Sequence, residues 1–168
     1  MKIEKREYTW EIKENAVNEA ALKYDVKLRV VPRPKPDLKI LGFESENVME
    51  QVAELKKGLP AGIADALARE LEISRKELAR VAGVAERTLV RKIQDGRLTP
   101  DQSERMARVA RLLNRAVEVL GGKERALRWL KAPRPYFEGK PPLDFADTEL
   151  GCQEVFNLLG RVEHGVFS

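Results

Sequence analysis

With 168 residues, 43% of them hydrophobic, the chain has material for one sizeable core or two small ones. A single cysteine, Cys152, excludes an internal disulfide and a multi-cysteine metal site, and one histidine leaves little for imidazole chemistry. No apolar run approaches signal or membrane length, so the expected setting is a reducing cytoplasm. The net charge of +4 is unevenly spread: Ser74 to Arg97 holds seven basic residues against three acidic, Glu104 to Lys131 eight against three, and Ala132 to Ser168 three against six. The basic stretches suit phosphate and the acidic end does not, which implies two different partners. There is no phosphate-binding glycine loop, and no nucleophile, base or metal constellation. The expectation is therefore a binding protein, with neither enzymatic activity nor cofactor. Cys152 reads as a small buried core residue.

Along the chain, Met1 to Asp37 is the least legible part. Tyr8, Trp10 and Ile12 alternate as in a strand, Ala16 to Leu22 fits a helical turn or two, and Val26, Leu28 and Val30 alternate again. Pro32, Pro34 and Pro36 stand at every second position, which makes an extended spacer. What precedes them is an arm that folds on a partner, a wrap around the next domain, or an unstructured leader.

From Ser45 the pattern is helical. Val48, Val52 and Leu55 share a face up to Lys57 and Gly58, with Ser45 or Glu46 opening the turn. Pro60 opens the next helix, in which Ile63, Leu67 and Leu71 align. Ser74 and Glu77 then form a capping box. The short helix behind it carries Leu78, Ala79 and Ala82 and stops at Gly83, and Val84 plugs the turn. A second helix from about Ala85 to Gln94 buries Leu89 and Ile93 and presents Glu86, Arg87, Thr88, Arg91 and Lys92, until Asp95 and Gly96 close it. This is a helix-turn-helix. Arginines on its second helix can pair bidentately with guanine in a major groove, and Ser74 and Arg75 either meet a backbone phosphate or serve only the cap.

Thr99, Pro100 and Gln102 mark another helix start. Met106, Val109, Ala110, Leu113, Ala116, Val117 and Leu120 form the buried stripe of that long helix. Arg105, Arg108, Arg111 and Arg115 are expected on a solvated face, and Gly121 and Gly122 end it. Glu124 to Lys131 is a short helix with Trp129 in its apolar side, broken by Pro133 and Pro135. In a last helix Val155, Leu158, Leu159 and Val162 repeat with helical period. The fold class is all-α: a small helix-turn-helix bundle continued by a long helix into a compact helical C-terminal domain. The expected divisions are 1–43 for the arm and linker, 44–98 for the helix-turn-helix domain and 99–168 for the helical domain.

Ser74 to Gly96 is followed by Trp129-Leu130 with Pro133, Gly139 with Pro141-Pro142, Thr148 with Gly151, and Arg161 with Gly165-Val166. In this order the motifs resemble the Xre antitoxins with an MbcA/ParS-type toxin-binding C-terminal domain. The resemblance implies a type II antitoxin whose partner is a RES-domain toxin that consumes NAD. It also implies repression of its own operon through double-stranded operator DNA. Toxin contact is then expected at the tail: Arg161, His164, Gly165, Val166, Phe167 and Ser168, with Phe167 as an apolar anchor. The chain departs from the family pattern in carrying Arg134 after the proline of the tryptophan motif and Ala85 at the start of the recognition helix. The lost cap at Ala85 costs on the order of 1 kcal/mol. Modest single-site affinity then points to a homodimer on paired half-sites. A stand-alone helix-turn-helix regulator with a helical dimerisation domain also fits the residues alone.

Overall fold

Local capping signals set most of the helix starts. The computed structural model describes residues 47–164, apart from the side chains of residues 92–95 and 164. The strand-like and proline-rich readings between Met1 and Asp37, the side chains of Lys92, Ile93 and His164, and Gly165 to Ser168 lie outside the described residues. Among the described residues the order is α1 (Val48–Lys57), α2 (Ile63–Leu71), α3 (Arg75–Val81), α4 (Glu86–Asp95), α5 (Pro100–Leu120) and α6 (Lys123–Lys131). A 3₁₀ turn (Pro135–Phe137), α7 (Pro142–Phe145) and α8 (Glu149–His164) follow. The architecture is all-α. No described helix is long and apolar enough to cross a membrane.

Both expected capping boxes are present. The Ser74 hydroxyl accepts from the Glu77 N–H at 3.1 Å and the Glu77 carboxylate accepts from the Ser74 N–H at 2.8 Å. The Ser74 N–H and hydroxyl together hold the Glu77 carboxyl below its ordinary range. Thr99 and Gln102 repeat the arrangement at the head of α5, with Pro100 in the first turn. Gly83 and Gly121 take left-handed conformations just beyond α3 and α5, where a backbone N–H must turn back onto an orphan carbonyl.

Helix α5 is the axis of the fold. It packs against α1 and α2 on one side and α6 and α8 on the other. Of its expected stripe Met106, Val109, Ala110, Leu113 and Ala116 are buried and Val117 and Leu120 are half-buried, while Ala107 and Leu112 on its flanks are buried as well. One continuous core of leucines and alanines runs from Leu55 to Leu159. Cys152 lies within it, 1% exposed.

Several expectations need correction. Helix α1 begins behind Asn47, whose side chain accepts from the Met49 N–H at 2.9 Å, and Ser45 and Glu46, expected to open the turn, lie outside the described residues. Leu55 of the expected stripe is buried together with Gln51, while Val48 and Val52 stand exposed, because α5 meets the helix on the Gln51 side of the stripe, about 60° from the valines. Pro60 does not open a helix: α2 begins behind Gly62, and Pro60 bridges to Arg97. The Ala61 N–H donates to the Gly96 carbonyl and the Leu98 N–H to that of Leu59, so the two ends of the helix-turn-helix unit are stitched together. The buried Ser103 completes the stitch by accepting from the Leu59 N–H at 2.8 Å and donating to the Thr99 carbonyl at 2.8 Å. Trp129 is half-buried, packed against the core and covered by Arg134, whose guanidinium lies 5.3 Å from the ring centre.

The largest correction concerns the arginines of α5. Arg108 and Arg115 are buried and not solvated, at 9% and 8% exposure, because α8 folds back over that side of α5. Arg115 is held by Glu118 at 2.9 Å and by Glu163 of α8. Arg108 donates to the Asp147 carbonyl at 2.9 Å. Each charge is moved out of water only where a carboxylate or carbonyl receives it.

Gly151 sits where the first turn of α8 crosses α7. A Cβ there would lie 2.0 Å from the Phe145 carbonyl oxygen, a backbone atom that cannot step aside. Gly151→Ala is expected to cost roughly 2–4 kcal/mol. The corresponding fall in Tm is about 5–15 °C, read by thermal unfolding under circular dichroism. At the next residue, burial pushes the Cys152 thiol up to about 11. Its thiolate fraction at pH 8 is then on the order of 10⁻³, so a chromogenic disulfide reagent should label it only after denaturation. The raised value also signs the linkage: stability owed to the neutral buried thiol is present below its ordinary 9.0 and is lost as pH rises toward 11. A urea titration series across that window reads the loss.

Candidate nucleic-acid and partner interfaces

The first candidate surface is built on α3 and α4, whose inner sides are fixed by the core. Leu78, Ala79, Val81 and Ala82 of the first helix and turn are buried, Leu89 is 1% exposed, and the half-buried Val84 packs between them. With those residues inward, Glu86, Arg87 and Arg91 are exposed, Thr88 is half-buried, and Val90 between them is exposed. Ala85 offers no side-chain cap; its carbonyl accepts from the Thr88 and Leu89 N–H groups at 2.9 and 3.1 Å.

Ser74 and Arg75 have structural tasks at the other end of the unit. Ser74 caps α3, and the Arg75 guanidinium forks onto Asp65 of α2, with Nη2 2.8 Å from Oδ2. Both remain exposed, but the Arg75 donors already face a carboxylate. Arg87, Thr88 and Arg91 are brought together on α4; Ser74 and Arg75 stand apart from them on α3.

The helix-turn-helix is braced against the C-terminal helices at its turn. Arg80 donates to Asp144 of α7 at 2.8 Å, and Arg105 of α5 donates to the Gly83 carbonyl at 2.8 Å. Arg105 and Arg108, the latter on the Asp147 carbonyl, also line a cleft of about 320 Å³ with Arg111, Asp147 and Glu149.

The second candidate surface lies on α8 and the 3₁₀ turn. The Arg161 guanidinium sits 4.6 Å above the Tyr136 ring and 3.5 Å from Glu154, and the Tyr136 hydroxyl donates to the same Glu154 carboxylate. This bond, followed by one from Asn157, holds Glu154 below the ordinary carboxylate range. Tyr136 is 50% exposed and Leu150 85% exposed. Of these residues the sequence motifs single out only Arg161; Tyr136, Leu150 and Glu154 join it on this surface only in the folded chain. The available signal was the pair Tyr136-Phe137, two adjacent aromatics of which a tight turn can bury only one; Phe137 is the buried member, packed on Phe145.

A helix-turn-helix unit sharing one core with a helical module that carries an exposed aromatic and arginine cluster defines a helix-turn-helix protein with two candidate interfaces. The sequence comparisons agree with that class. The family model for the antitoxin Xre-like helix-turn-helix domain matches residues 50–111, and that for the antitoxin Xre/MbcA/ParS C-terminal toxin-binding domain matches residues 115–165. An antitoxin Xre of Yersinia enterocolitica is 38% identical over 130 residues, covering 76% of this chain and 88% of the relative. One of Photorhabdus laumondii is 34% identical over 135 residues, covering 79% and 91%. A third, of Pseudomonas putida, is 35% identical over 80 residues, about half of each chain. The chain belongs to the Xre antitoxin family.

The braces differ in burial and should differ in weight. Arg80 is 56% exposed in its side chain, so Arg80→Ala is expected to change stability by less than about 1 kcal/mol. Arg108→Ala leaves a buried void and an unpaired Asp147 carbonyl and should cost roughly 1–3 kcal/mol. Urea midpoints of the two variants decide the order.

Proposed function

We propose that this protein is the antitoxin of a type II pair, a cytoplasmic homodimer that neutralises a RES-domain, NAD-consuming toxin and represses its own operon. The observation that carries the reading is the succession, in one chain, of matches to an antitoxin helix-turn-helix domain and to a toxin-binding domain. Residues 44–98 take the DNA. Glu86, Arg87, Thr88, Arg91 and Lys92 read it from α4, while Ser74 and Arg75 lie at a phosphate. The exposure of Arg87 and Arg91 on the free side of α4 supports this assignment. Residues 99–168 take the toxin, through Arg161 and the tail of His164, Gly165, Val166, Phe167 and Ser168. The role is one of binding, without chemistry of its own.

The division of labour is testable by two variants. Arg87→Ala combined with Arg91→Ala should abolish the operator shift in an electrophoretic assay and leave co-purification with the RES-domain protein intact. Truncation after Gly160 should do the reverse, failing to rescue toxin-arrested cells while still binding DNA. Loss of both properties in either variant, or no complex with the toxin at all, contradicts the proposal.

A further inference from the structure

We infer that Val90 contacts the 5-methyl group of a thymine in the operator, supplying a specificity contact that the basic residues of α4 cannot make; this builds on the DNA reading proposed above. Val90 follows Arg87 by three positions and precedes Arg91 by one, so the three share one side of α4 at the spacing i, i+3, i+4. Three-helix DNA readers lay a stripe of that spacing on base edges in the major groove.

The core makes no use of Val90. Its neighbour Leu89 is 1% exposed, whereas Val90 is 44% exposed, the one large hydrophobic residue so exposed among the described side chains of α4. A β-branched side chain on the open side of a helix loses rotamer freedom without gaining burial, so helix formation does not favour it there. An apolar neighbour of two guanidinium groups does have a use against DNA. Arginine pairs with the O6 and N7 acceptors of guanine, but a thymine edge presents a methyl group beside O4, and only an apolar side chain gains by covering it. Arg87 and Arg91 would hold the helix at the groove floor, and the branched methyls of Val90 would meet the thymine there.

The test uses the full chain and a duplex that it selects from a random pool, with each thymine replaced in turn by deoxyuridine, which removes only the methyl. One replacement per half-site should weaken wild-type binding about four-fold, the loss of one buried methyl contact. Val90→Ala should bind the parent duplex correspondingly less well and be indifferent to that same replacement. Val90→Thr, which keeps the shape and one methyl, provides the comparison if the alanine variant shifts the Tm. Equal sensitivity of wild type and variant to every deoxyuridine overturns the Val90 contact and leaves the DNA reading standing. A wild-type chain that selects no duplex overturns both.

Discussion

Everything in this protein is arranged around one helix that is buried on more than one side. Pro100–Leu120 touches the helix-turn-helix through α1 and α2 and the C-terminal module through α6 and α8. A surface helix needs a single apolar stripe, but one placed between two groups of helices must also satisfy what lies beside that stripe. Here the extra surface is bought with small residues, Ala107, Ala110 and Ala116, and with arginines that thread their stems along the core and deliver their charge to α8 and the segment before it.

That solution has a consequence for the two candidate surfaces. The turn between α3 and α4 does not rest on hydrophobic contact alone. Its Gly83 carbonyl is held by Arg105, and its first helix by Arg80 on Asp144. Helix α7, which supplies Asp144, and the loop behind it, which supplies the Asp147 carbonyl, lead directly into α8, whose far end carries Arg161. Hydrogen bonds of defined direction therefore tie α3 to α7 and the turn behind α3 to α5.

Much of the fold was legible because its signals are local. A capping box closes within four residues, and Ser74 with Glu77 and Thr99 with Gln102 announce their helices without regard to what packs on them. Gly83 and Gly121 end helices for an equally local reason. The errors share the opposite character. Val48, Val52 and Leu55 match a helical stripe, yet α5 covers Leu55 together with the polar Gln51 beside it and leaves both valines exposed. Pro60 has the chemistry of a helix start, but pairing with Arg97 across the ends of the unit prevailed. Of the proposed site residues, Arg87 and Arg91 were readable as outward once Leu89 was placed inward, whereas the cluster of Tyr136, Glu154 and Arg161 joins two segments that periodicity cannot bring together.

The amino-acid order by itself determined the helix boundaries set by caps and glycines, the helix-turn-helix, the outward side of α4 and the family, because each depends on residues within one or two turns or on a motif in fixed order. Only the tertiary structure decided that Arg108 and Arg115 of α5 are interior and that the turn of the helix-turn-helix is braced from outside the unit. It alone required glycine at 151. The physical reason lies in packing between elements: the partners of the arginines stand some tens of residues away and arrive only when α7 and α8 close over the rest of the fold, and the room for a Cβ at 151 depends on how closely the end of α7 approaches the first turn of α8.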